Sequence, residues 1–316
     1  LLVSEWKNEL PANLLIEISN ICNLNCIMCH ASFLYNNNIK HNKLMEYNTF
    51  QKVINQVVPG VKNIIMQLWG EPLFHPDFIS MVEYIRKKTS EITLSFNTNG
   101  LLVSPNIANE LLKHNINEIG FSIDAAKEST FNSIRKGGNY KQLINNIENL
   151  INQRARYGSS LKIYVSFVIM KENEIEVEPF WEFWKNKVDC VTYYIKSDTS
   201  TTHSHFFYET KYEKRFPCWN LKEQLVVDVD GNIIMCCHDA KSESKWGNVN
   251  DNPIIEIINN HKACTTRKLH NQGKMDEILL CKNCSQWTNA IQISEKKSNY
   301  KVVRSPISEY RYISDS

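Results

Sequence analysis

Short apolar runs exchange regularly with longer amphipathic stretches over the first two thirds of the chain, and few folds accommodate that pattern. The runs LLIEIS (14–19), NIIMQL (63–68), EITLSFN (91–97), EIGFSID (118–124), KIYVSFVIM (162–170) and CVTYYIK (190–196) read as strands. Helical patterns lie between them at Asn48 to Val58, Pro76 to Lys88, Pro105 to His114 and Tyr140 to Tyr157, and in EIEVEPFWEFWKN. Pro105 suits a first helical turn and Gly158 a helix stop. Near-continuous apolar strands alternating with helices predict a parallel sheet covered by helices. Six such units fit either an incomplete barrel or a doubly wound sheet, and periodicity does not choose between them.

After Lys196 the pattern changes. THSHFFYETKYEKRF has no clear period and reads as a linker, and QLVVDV-DG-NIIMCC then predicts a β-hairpin turning at Asp230-Gly231. A short helix around Pro253–Ala263 and a late cysteine pair complete a small second unit. The stretch holding Lys296, Lys297, Lys301 and Arg304 reads as a solvated tail. The expected division is a lead-in at 1–12, a first domain at 13–200, a second at 201–290 and a tail at 291–316.

With 42% hydrophobic and 22% charged residues over 316 positions, the chain can bury a full core. A net charge of +2 calls for neither a nucleic-acid nor a membrane partner. No apolar run approaches the ~18 residues of a membrane helix, and the first ten residues lack the regions of a signal peptide. The expectation is therefore a cytoplasmic protein with reduced thiols. Ten cysteines then point to metal rather than disulfides.

Cys22-Asn-Leu-Asn-Cys26-Ile-Met-Cys29 follows the first strand at its carboxyl end, where parallel α/β folds bind ligands. Three thiolates can serve three corners of an iron–sulfur cube and leave one iron open. Zinc held by these cysteines and the adjacent His30 is the competing reading. Cys218, Cys236, Cys281 and Cys284 form a second set, with Cys281 and Cys284 spaced as a chelating pair and Cys236 expected on the hairpin's return strand. Four thiolates would fully coordinate a cluster, and a structural zinc is the alternative. Cys190 reads as a small buried hydrophobe and Cys264, after a helix, as a free thiol. Cys237 adjoins Cys236, and only one of two neighbouring strand side chains easily points inward.

The CxxxCxxC spacing resembles the signature of the radical S-adenosylmethionine (radical SAM) superfamily, and further motifs follow in that family's order. Trp69-Gly70-Glu71-Pro72 resembles its GGEP motif, with Trp69 in place of the first glycine. Asn97-Thr98-Asn99-Gly100 resembles its TNG segment, and Ser122-Ile123-Asp124 its SxD pattern, with Ser122 and Asp124 expected on one strand face. Arg135 resembles the arginine that pairs with the S-adenosylmethionine carboxylate, and Val168 to Met170 would lie near the adenine, with Asn173 just beyond.

Over residues 13–290 the resemblance implies a partial (β/α)6 TIM-like barrel followed by a small α+β SPASM/twitch domain. It implies a 4Fe–4S cluster on Cys22, Cys26 and Cys29 whose open iron binds S-adenosylmethionine. Gly70, Glu71, Asn97, Ser122, Asp124, Arg135 and Met170 would be the cofactor-binding residues. Reductive cleavage in that family yields methionine and a 5′-deoxyadenosyl radical that abstracts a substrate hydrogen. Too few cysteines remain for two auxiliary clusters, so one 4Fe–4S cluster on Cys218, Cys236, Cys281 and Cys284 is expected.

The implied enzyme is of oxidoreductase type, acts on a sugar or aminocyclitol-like molecule, and draws electrons from a donor such as flavodoxin or ferredoxin. Lys196 is the candidate base. Peptide epimerisation or crosslinking is the alternative, with Cys264 or Cys237 as hydrogen donor. A non-catalytic binding module stabilised by zinc or a cluster is the reading from another class.

Overall fold

The computed structural model describes residues 9–36, 41–58, 60–195 and 215–313, apart from the side chain of Tyr35. The strands in chain order are β1 (Asn13–Ile16), β2 (Asn25–Cys26), β3 (Asn63–Ile65), β4 (Thr93–Thr98), β5 (Glu118–Ser122), β6 (Arg135–Lys136) and β7 (Lys162–Ile169). There follow β8 (Cys190–Ile195), β9 (Gln224–Val227), β10 (Asn232–Ile234), β11 (Lys245–Asn248), β12 (Ile293–Lys296), β13 (Tyr300–Ser305) and β14 (Ser308–Ile313). The first five helices are α1 (His30–Asn36), α2 (Tyr47–Val57), α3 (Phe78–Lys88), α4 (Pro105–Lys113) and α5 (Glu128–Ile134). The others are α6 (Tyr140–Tyr157), α7 (Val177–Trp184), α8 (Trp219–Glu223), α9 (Ile254–Ile258) and α10 (His261–Asn271).

Two compact units are built from interleaved stretches of chain. The first holds residues 1–22, 30–96 and 212–287, and the second holds 23–29, 97–211 and 288–316. In the first, β1 lies between β3 and β9 and pairs with both in parallel, and β3 pairs β4 in parallel. The hairpin β9–β10 and then β11 extend this sheet antiparallel. Leu14, Ile16, Ile64 and Leu94 are fully buried, as strands covered on both faces require. At the hairpin turn, Gly231 has φ +81°, and a Cβ there would come within 2.9 Å of Thr49 and Val249 side chains, so only glycine fits.

In the second unit β5, β7 and β8 pair in parallel. Helix α4 starts at Pro105, and the Ser104 hydroxyl accepts from the Ile107 N–H; helix α6 stops at Gly158 in the left-handed conformation. A separate two-stranded ladder joins β2 to β6 and sets Cys26 opposite Arg135.

Five sequence expectations need correction. Residues 293–313 are no solvated tail: β14 pairs antiparallel with β8, and β13 and β12 follow. β12 is exposed along its length, and in β13 and β14 Val302, Ser305, Ser308 and Glu309 are buried without alternation, so no two-residue period marks these strands. The single helix expected at 253–263 is two, broken where Asn260 caps α10 by accepting from the Ala263 N–H. That extension puts Cys264 inside a helix, not after one. Cys236 lies beyond β10, which ends at Ile234 after a register shift. Asp124 is not on the β5 face shared with Ser122, because β5 ends at Ser122 and Asp124 has φ +64°. The expected boundary at 200/201 and Lys196 lie outside the described residues. Among the described residues, no helix is long and apolar enough to cross a membrane.

Candidate metal centres

The cysteine loop begins where β1 has delivered the chain to its carboxyl end. Cys22 is exposed, Cys26 buried and Cys29 half-buried. A tight turn brings the Cys29 N–H onto the Cys26 carbonyl, and the Ile27 N–H donates to Ile134 O, so the loop is pinned to the end of α5. The Arg135 guanidinium reaches the Cys26 sulfur at 3.8 Å and pairs with Asp124 through its other nitrogen. Burial opposes the charge on Arg135, but Asp124 and Cys26 outweigh it and hold its pKa above the usual value.

Asp124 is fully buried and is a hub as well as a counter-ion. Its carboxylate accepts from the Val168 N–H, and its carbonyl accepts from Asn173 Nδ2, while Asn173 Oδ1 takes the Met170 N–H. This network ties the end of β5 to the end of β7, and Met170 is buried in it. Ser122 is half-buried and Asn97 is exposed. Gly120 makes room for Asn97, whose Oδ1 would lie 2.0 Å from a Cβ at that position. The adjacent Asn99 donates to the Asn23 side chain in the cysteine loop.

The Trp69–Pro72 segment belongs to the other unit. Gly70 crosses the backbone of Ser19 and Asn20 so closely that a Cβ would sit 2.3 Å from Ser19 O. The Glu71 N–H donates to Ile21 O, and its buried carboxylate accepts from the Leu73 N–H. Sequence reasoning missed Glu17, a fully buried carboxylate that accepts the N–H groups of Trp69 and Val229, both at 3.2 Å. Its alternation with Ile16 and Ile18 was the available signal, since a charge inside an apolar strand end demands partners. The Trp69 indole Nε1 is buried without a hydrogen-bond partner.

The second thiol set lies wholly in the first unit. Burial pushes Cys218 up to about 11 and Cys281 up to about 12, and Cys281 also feels the thiols of Cys236, Cys284 and Cys218. Cys236 is pushed well above its usual value, first by a hydrogen bond with Cys237 and then by burial. Cys237 packs against Leu15, Val226 and Ile234. Backbone N–H groups of His238 and Gln286 donate to the sulfurs of Cys236 and Cys284 at 3.4 and 3.3 Å. Arg215 donates to the carbonyls of Cys281 and Lys282, clamping the chelating turn.

Among the described residues, no three His, Cys, Asp or Glu side chains gather into a single-ion site. Four thiols in one unit, two of them receiving backbone N–H donors, suit the four ligands of one cluster. Cys190 is buried in β8, as a small hydrophobe, and burial pushes its thiol up to about 12. Cys264 is exposed, with Arg267 3.5 Å from its sulfur.

Strand–helix alternation, with one thiol set after a strand end and another within the first unit, fits an iron–sulfur α/β protein. The Radical SAM superfamily model matches residues 16–183, and a model of the SPASM iron–sulfur cluster-binding domain matches residues 218–285. The chain belongs to the Radical SAM superfamily and carries a SPASM domain. Its fold class is the partial (β/α)6 radical SAM core followed by that domain. Its cofactors are S-adenosylmethionine, the 4Fe–4S cluster that binds it and an auxiliary iron–sulfur cluster.

A probable GTP 3′,8-cyclase of Methanocaldococcus jannaschii is 29% identical over 174 residues, 55% of each chain. The chain thus spans about half the length of the curated relatives it matches. Among solved structures, BtrN in complex with AdoMet and 2-DOIA aligns with a TM-score of 0.54 at 18% identity, covering 88% of this chain and 94% of that one. The anSMEcpe structure with bound AdoMet and Cp18Cys peptide aligns with a TM-score of 0.61 at 18% identity, covering 86% and 88%.

Proposed function

We propose that this radical SAM enzyme oxidises a hydroxyl-bearing carbon of a sugar or aminocyclitol-like small molecule. The observation that carries the reading is that Cys218, Cys236, Cys281 and Cys284 fall in one unit, which supports a single auxiliary cluster. When bound, the two clusters and S-adenosylmethionine supply a 5′-deoxyadenosyl radical that removes a hydrogen, and a sink for the electron left behind.

The chain's residues do the rest. Cys22, Cys26 and Cys29 hold the reactive cluster. Arg135, kept cationic by Asp124, offers a carboxylate-binding charge beside Cys26. Gly70 and Glu71 serve the amino group of S-adenosylmethionine, and Asn97, Ser122 and Met170 border its nucleoside. Lys196 is proposed as the base that takes the hydroxyl proton, which makes the carbon radical a stronger reductant. The electron donor is of flavodoxin or ferredoxin type. Support for a small substrate comes from the extent of the alignment with BtrN, solved with 2-DOIA.

A second reading, peptide modification, draws on the similar coverage of the peptide-bound anSMEcpe structure. Substrates deuterated at the carbinol carbon separate the two. The proposal expects deuterium in 5′-deoxyadenosine and a carbonyl product, with turnover lost in Lys196→Ala. Deuterium arriving only from a labelled peptide, or only from labelled GTP, overturns it.

A further inference from the structure

His270 was in no motif, yet it sits among the auxiliary thiols. It lies on α10 and is only 2% exposed. Its Nδ1 accepts the backbone N–H of Cys218 at 3.3 Å. A nitrogen that accepts this bond carries no proton, so the proton of the neutral ring is on Nε2. Nε2 faces the Cys281 sulfur at 3.5 Å. One imidazole thus bridges two ligand segments far apart in sequence, taking a hydrogen bond from one and giving a hydrogen bond to the other.

We infer that His270 is a positioning residue of the auxiliary site, whose Nε2–H donates to the Cys281 thiolate and raises the reduction potential of the cluster bound there. The inference rests on the one-cluster reading above and deepens it. A hydrogen bond to a ligating sulfur withdraws charge from it and so favours the reduced, more negative cluster. The sulfurs of Cys236 and Cys284 receive backbone donors, which almost any sequence could supply. Cys281 receives a side-chain donor, which the sequence had to provide. Arg215 holds the same turn by donating to the Cys281 carbonyl at 3.0 Å. A site arranged this way accepts electrons readily, as an oxidation of substrate requires.

The test uses the full chain with Cys22, Cys26 and Cys29 changed to Ala, reconstituted anaerobically so that only the auxiliary cluster remains. The midpoint potential is read by EPR-monitored titration. His270→Phe is expected to lower it by at least a tenfold change in the reduction equilibrium, about 59 mV for one electron. His270→Gln, which retains an N–H donor, is expected to recover part of the shift.

In the unaltered-His270 protein, labelling histidine with nitrogen-15 is expected to show a weak nitrogen coupling to the reduced cluster, together with an exchangeable proton. An unchanged potential in His270→Phe overturns the inference. If that variant assembles no cluster, the coupling decides alone: its absence, or a strength that signifies direct ligation, overturns the inference. No cluster in the background variant overturns the one-cluster reading itself.

Discussion

The two thiol sets solve opposite problems with the same atom. The auxiliary four lie in one unit, each partly buried, and N–H donors reach three of the sulfurs. The triad differs: Cys22 is exposed, Cys29 half-buried and Cys26 buried. A fully ligated cluster that stores an electron gains from being wrapped, because burial and hydrogen bonds fix its potential. A cluster that must bind a small molecule needs an uncovered position, so its surroundings are a counter-charge and loops. Arg135 paired with Asp124 is proposed as that counter-charge. Wrapped storage and open reactivity cannot be built from the same loop.

Removing one ligand from each region gives the largest contrast. Cys26→Ala should drop iron from about eight to about four per chain and bring S-adenosylmethionine cleavage under dithionite below detection. Cys281→Ala should lose the same amount of iron, by the same assay, yet still cleave S-adenosylmethionine without forming product. Equal loss of cleavage in both would erase the distinction between the sites.

Arg135→Met leaves the buried Asp124 charge unpaired and should cost about 3–5 kcal/mol in urea denaturation. Asp124→Asn in that background should return part of it. Gly70→Ala forces a Cβ onto the Ser19 backbone and should cost about 1–3 kcal/mol by the same measurement. Gly158→Ala, where a Cβ meets nothing within 4 Å, should cost about 1 kcal/mol for its φ of +61° alone.

The last prediction concerns pH and the metal-free chain. Cys218 and Cys281 are held at about 11 and 12 when folded, against an ordinary 9, so the folded state binds their protons more tightly than the unfolded state. Their contribution to stability is complete below pH 9 and lost as pH rises through 11 to 12. Thermal melts of the metal-free protein should fall over that window. Loading iron must displace these protons, so apparent affinity should rise with pH, which potentiometric proton release can follow.

Much of this protein was written locally. The spacing of Cys22, Cys26 and Cys29, the Cys281–Cys284 pair and the six apolar runs needed no knowledge of distant neighbours. A chelate and a strand are made from residues a few positions apart. So are the Pro105 and Gly158 signals that bound α4 and α6. Other features were illegible for the same reason. β14 finds its place only by pairing with β8, more than a hundred residues earlier. Asp124 leaves its strand face because Arg135, Val168 and Asn173 each claim part of it.

His270 shows the division most plainly. Its sequence neighbours give a weakly amphipathic helix and no hint of a ligand. Folding buries it between Cys218 and Cys281, and the hydrogen bond at Nδ1 decides which nitrogen carries the proton. The sequence by itself determined which sulfurs are paired by short range and where the parallel strands run. Only the tertiary structure decided which distant thiols meet and what donates to them, because burial and long-range pairing are properties of the packed chain.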